Sequence, residues 1–137
     1  MRRSAASPTA SPALAPALVS ALEACPADLM RLLGYVYLQH GQPSRAAVMF
    51  DALHALDPAD PLAARSLALA RLRCGQPDAA LAPLQGLLDQ GDNHAATHVL
   101  RAQALLATGQ VTASALAMRA YVAARTAPAA PTATDGR

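Results

Sequence analysis

Gly41-Gln-Pro-Ser-Arg-Ala46 returns as Gly75-Gln-Pro-Asp-Ala-Ala80, and again as Gly109-Gln-Val-Thr-Ala-Ser114. The three glycines stand 34 residues apart, and each is followed by glutamine. Two further columns run in phase with them: Phe50, Leu84 and Met118, then Leu53, Leu87 and Tyr121. A fixed period of this length means a stack of similar supersecondary units, none of which buries its apolar face alone.

One unit reads as helix, tight turn, helix. In the first copy an apolar helix is predicted from about Ala27 to His40. Gly41 ends it, because glycine takes the left-handed conformation that closes a helix without a Cβ penalty. Pro43 suits a first helical position, where its missing N–H costs nothing. The second helix is predicted from about Ser44 to Leu56, with Ala46, Phe50 and Leu53 on one face. It stops at Asp57-Pro58; Asp60 then caps the next helix, with Pro61 in its first turn. Gly34 and Ala46 are small enough to let the two helices approach.

The 34-residue period is that of the tetratricopeptide repeat. Leu33, Gly34, Tyr37, Gly41, Ala46, Phe50, Leu56, Asp57 and Pro58 all fall on its pattern. The second copy keeps Leu67, Ala68, Gly75, Ala80 and Leu84, but has Arg71 in the tyrosine column and ends in Gly91-Asp92. The third keeps Gly109, Ser114 and Met118, and has Arg101 at an apolar position. The expected fold class is all-α: three tandem tetratricopeptide-like helix-turn-helix repeats in a short right-handed solenoid. The repeats are placed at about 27–60, 61–94 and 95–126, within a domain of residues 26–126. Residues 1–25 read as a disordered Ala/Pro-rich leader, within which 16–24 has the spacing of a short helix able to cap the first repeat or to come free. Residues 127–137 read as a disordered tail. No capping helix follows the last repeat, so Leu116, Met118, Tyr121 and Val122 are expected to be partly uncovered.

Composition narrows the function. Over a quarter of the 137 residues are alanine, which suits helices, and lysine and isoleucine are absent. A net charge of +2 from scattered arginines gives no basis for nucleic-acid binding. Cys25 and Cys74 form no CxxC pair and read as free thiols. His94 and His98 have the i, i+4 spacing of two metal ligands, but no third ligand accompanies them. Glu23 is the single glutamate, and the aspartates fall at caps and turns. No nucleophile motif or phosphate-binding glycine loop is present. The expectation is therefore no enzyme, no catalytic or metal residues and no cofactor.

The first helix of each repeat carries surplus apolar surface. From Leu29 to Leu38 only Arg31 and Gly34 are not large apolar or aromatic residues, and a helix apolar all round must be covered on both sides. The expected partner-binding residues lie on the concave side: Arg31, Tyr35 and Leu38; then Leu62, Arg65, Leu69, Leu72 and Arg73; then Val99, Gln103 and Leu106. They read as an apolar groove edged with arginine, suited to an amphipathic or extended segment carrying acids.

The stretch from Leu32 to Pro58, with Asp51-Ala-Leu53 before the turn, resembles the first repeat of the small tetratricopeptide chaperones of bacterial type III secretion, the YscY family in particular. Leu100-Arg-Ala-Gln103 and Ala120-Tyr121 are similar to its third repeat. The resemblance covers roughly residues 28–125 and implies a cytoplasmic chaperone, peripheral to the secretion apparatus at the inner membrane. It implies two partners: a small secreted YscX-like client and the export gate protein. Chaperones of needle subunits (YscG type) and of translocators (SycD type) share the architecture. Outside the secretion system, the alternative is a tetratricopeptide subunit of a larger assembly whose self-association hides the apolar stripe; for the chaperone, a homo-oligomer is the expected state when the client is absent.

Overall fold

The structure, a computed structural model, describes residues 26–127. The expected leader helix at 16–24 and nearly all of the expected tail lie outside those residues. Six helices run in order: α1 Pro26–Gln39, α2 Pro43–Leu56, α3 Pro61–Arg73, α4 Pro77–Asp89, α5 Ala95–Ala107 and α6 Val111–Thr126. Each packs on the next, and α3 also touches α5. There is no strand among the described residues. This is the all-α tandem-repeat solenoid that the period predicts.

The repeat glycines close their helices as the sequence requires. Gly41, Gly75 and Gly109 have φ of +69°, +77° and +85°. In the first turn the Gly41 N–H donates to Leu38 O at 3.3 Å and the Gln42 N–H to Tyr37 O at 2.8 Å. That pair of bonds is the Schellman arrangement, which satisfies the last carbonyls of the helix. Gly91-Asp92 ends α4 the same way, with Asp92 N–H donating to Leu87 O at 3.0 Å. The second repeat thus replaces the Asp-Pro stop with a second glycine stop. The Asp60 side chain accepts from the Leu62 N–H at 3.0 Å and caps α3.

The core divides into layers between successive helices. Phe50, fully buried, anchors the first with Leu38, Leu53, Leu67 and Ala70. Leu84 and Leu87 anchor the second with Ala64, Ala68, Leu100 and Ala104. The third is thin: Ala102, Leu105 and Ala117. Gly34 is what lets α1 meet Phe50, because a Cβ there would stand 2.6 Å from Phe50 Cζ. Tyr35 lies beside the same ring, centroids 5.3 Å apart.

Arg71, in the tyrosine column, has a structural role of its own. Pro83 lies inside α4, buried, and has no N–H to offer the carbonyl of Ala79 four residues earlier. The Arg71 guanidinium donates to that carbonyl at 2.9 Å and to Asp51 Oδ1 at 3.2 Å. One arginine of α3 therefore mends the hydrogen-bond gap in α4 and ties it to α2.

Two outcomes are expected. Gly34→Ala lowers stability by about 1–3 kcal/mol in urea unfolding, through forced displacement of the Phe50 ring, and Phe50→Leu in the same chain recovers part of the loss. Arg71→Ala costs about 1–3 kcal/mol by leaving Ala79 O without its donor. In a Pro83→Ala background the cost falls, because the restored N–H takes over that carbonyl. Equal costs in the two backgrounds would refute the role given to Arg71.

Candidate partner-binding face

The first helices α1, α3 and α5 repeat every 34 residues, so the expected face resolves into columns: Arg31, Arg65 and Val99; Tyr35, Leu69 and Gln103; Leu38, Leu72 and Leu106. The structure distributes these side chains over three kinds of environment.

Leu62, Arg73, Gln103 and Leu106 are exposed, Leu62 by 44% and Leu106 by 59% of their surface. Arg31, Tyr35, Arg65, Leu69, Leu72 and Val99 are half-buried. Leu69 packs against both of the first two core layers and Leu72 against the second. Leu38 is a correction. It is buried in the layer with Phe50 and Leu67, because its position on α1 turns it toward both α2 and α3. The expected line is therefore an apolar seam at Leu69, Leu72 and Val99, with exposed leucines at Leu62 and Leu106.

The arginines are corrected too. Arg31 donates to Asp60 Oδ2 at 3.0 Å and to Asp28 Oδ1 at 2.9 Å. Arg65 donates to Asp92 Oδ1 and Thr97 Oγ1, each at 3.4 Å. Asp60 caps α3, and Asp92 lies in the turn before α5. Each arginine thus reaches from the first helix of one repeat to an aspartate just ahead of the next. In the third copy the column holds Val99. Two of the three expected cations are neutralised from within, which leaves Arg73 as the exposed one. The Tyr35 hydroxyl pairs with the buried Ser66 Oγ at 3.1 Å, a further link from α1 to α3.

Sequence reasoning did not identify Ser66, Thr97 or the inter-repeat role of Asp60 and Asp92. The signal was available in part: Arg31 and Arg65 share a column, and each has an aspartate 27 or 29 residues ahead. His94 is the N-cap of α5, its Nδ1 accepting from Ala96 N–H at 3.1 Å. His98 is buried, with Nε2 2.7 Å from Asn93 Oδ1. Each histidine therefore has a structural partner. Cys74 is a free thiol. At the far end of α6, Arg125 donates to Tyr121 Oη at 3.0 Å, which raises its pKa above the ordinary value. A cleft of about 390 Å³ on the other side of the stack includes His54, Pro58, Arg71, Pro83 and Gly86. Its arginine is the one committed to Ala79 and Asp51.

A stack of helical hairpins with an apolar seam along its first helices defines a helical-repeat scaffold. A family model, tetratricopeptide repeat, matches residues 37–104, and together with the helix-turn-helix stack it supports a tetratricopeptide-type repeat protein. No curated protein matches it. Repeats of this type point to a protein–protein interaction role, and folds of this type are typically non-enzymatic scaffolds. No helix among the described residues is long and apolar enough to cross a membrane.

Asp92 is expected to matter more than a surface acid should. It accepts from Arg65 and from Thr97 Oγ1, both at the junction of the second and third repeats. Asp92→Ala lowers the unfolding free energy by about 1–3 kcal/mol, since buried Thr97 loses its acceptor. Asp28→Ala, whose carboxylate is exposed, changes it by less than about 0.5 kcal/mol. Urea unfolding of the two variants side by side checks the difference.

Proposed function

We propose that the chain is a type III secretion chaperone that holds an amphipathic segment of a small secreted client against its first-helix face. The reading is supported by the resemblance of Leu32–Pro58 to the YscY family. The observation that carries it is the apolar seam of Leu69, Leu72 and Val99, flanked by exposed Leu62 and Leu106. The client places apolar side chains along that seam. Its acids, if it has any, meet Arg73, because Arg31 and Arg65 are already paired. In this reading the chaperone works in the cytoplasm beside the inner-membrane secretion apparatus, where it presents a YscX-like client to the export gate. A needle subunit or a pair of translocators as client would keep the chaperone class and change the subfamily.

The exposed face of α6 favours a second reading, an assembly subunit that self-associates. Leu116, Met118 and Val122 are exposed on the last helix. Sedimentation of the purified chain tells the two apart, because a tight homodimer disrupted by Leu116→Asp supports the assembly reading.

The test is capture of a YscX-like client by the chain and by two variants. Leu62→Asp and Leu106→Asp are chosen because both side chains are exposed, so the isolated variants keep the helical circular dichroism of the parent. Substituting Leu69 or Leu72 would disturb the core layers as well. Losing one buried leucine contact contributes about 1.5–3 kcal/mol, or roughly ten- to hundredfold weaker binding. Unchanged affinity in both variants would remove this face as the client site.

A further inference from the structure

One face of α1 is uncovered in a way the rest of the stack explains. At steps of 34 residues, Leu29, Leu32, Leu33 and Val36 align with Ala63, Ser66, Leu67 and Ala70 of α3, and with Thr97, Leu100, Arg101 and Ala104 of α5. All four positions are buried in α3, and three of the four in α5, with Arg101 half-buried. The cover comes from the second helix of the preceding repeat. Phe50 and Ala47 of α2 share a core layer with Leu67 and Ala70, and Leu84 and Ala80 of α4 share one with Leu100 and Ala104. Among the described residues no helix precedes α1. Leu32, Leu33 and Val36 are accordingly 56%, 37% and 37% exposed.

We propose that residues 16–24, Pro16-Ala-Leu-Val-Ser-Ala-Leu-Glu-Ala24, form a helix that lies antiparallel on this face of α1 and takes the place of the missing second helix. Three observations carry it. Leu18, Val19 and Leu22 fall on one side of such a helix, and Ser20 and Glu23 on the other. Nine helical residues span about 13 Å and the uncovered stretch from Leu29 to Val36 about 10 Å, so the lengths match.

The third observation is register. In an antiparallel helix pair, residues equally far from the connecting turn face one another. The two junctions in the structure obey this: Phe50 and Leu67 are equidistant from the α2–α3 turn, and Leu84 and Leu100 from the α4–α5 turn. Pro26 begins α1 and disfavours helical backbone at residue 25, which puts the turn there. To within one residue, the same rule sets Leu18 and Val19 against Leu32 and Leu33, and Leu22 against Leu29. With no shift Leu18 meets Leu32 while Val19 and Leu22 meet Arg31 and Asp28, and a shift of one residue makes every facing position apolar. The inference stands whether or not the chain is a secretion chaperone.

Amide hydrogen exchange on the full chain tests it, read on residues 16–24. The amides are expected to exchange at least tenfold more slowly than those of an unprotected peptide. Leu33→Asp and Leu22→Asp are each expected to abolish that protection while the amides of α5 and α6 keep theirs, which shows that the repeats remain folded. Exchange at the unprotected rate in the parent chain overturns the proposal. So does protection that survives Leu33→Asp, which would put the segment elsewhere. Protection that disappears on dilution also overturns it, since the cover would then belong to a second copy.

Discussion

Each first helix of this stack has to bury two faces at once, one against its own hairpin partner and one against the helix before it. That demand orders the whole molecule. In α3 it is met by small residues on a broad arc, Ala63, Ala64, Ala68 and Ala70, with Leu67 as the one large side chain fully enclosed. Alanine lets helices come close, and its high helix propensity means the closeness is gained without weakening the helix. A thin core is the consequence: bulk is supplied at a few anchors, Phe50, Leu67, Leu84 and Leu87, and the remaining contacts are backbone-near. Gly34 takes the same logic to its limit, since even a methyl group would collide with the Phe50 ring.

Polar seams follow the apolar ones. Arg31–Asp60 and Arg65–Asp92 occupy equivalent places at the two junctions, and Tyr35–Ser66 lies across the first of them. Partly exposed ion pairs contribute little stability. Their geometry matters more, because a guanidinium that must reach an aspartate ahead of the next helix sets how far one repeat can slide along another. The third copy, with no further repeat after it among the described residues, has Val99 where the arginine would be.

Apolar residues are left uncovered at both ends of the described stack, on α1 and on α6, and along its first-helix side. These are different kinds of exposure. On α1 the uncovered positions are columns that α3 buries throughout and that α5 buries except at Arg101. Along the first-helix side, Leu62 and Leu106 are exposed and belong to none of the three core layers.

The sequence by itself determined the helices and their number within residues 26–126, through the 34-residue period, the glycine stops, the prolines that open α2, α3 and α4, and the Asp60 cap. These are local signals: a left-handed turn or a capped first turn is decided within a few residues. It also showed that α1 carries more apolar surface than one hairpin can cover, and that Leu116, Met118, Tyr121 and Val122 would be partly uncovered; Tyr121 is half-buried and the other three are exposed. Only the tertiary structure decided what each apolar or charged residue faces. Leu38 belongs to the core because side chains of α2 and α3 share its layer. Arg31 and Arg65 are junction locks because the stacking brings aspartates from the next turn within reach. Arg71, in the tyrosine column, donates to the Ala79 carbonyl that Pro83, in a different helix, leaves without an N–H. Each depends on the distance between residues far apart in the chain, which a repeat period aligns in register but does not bring together in space.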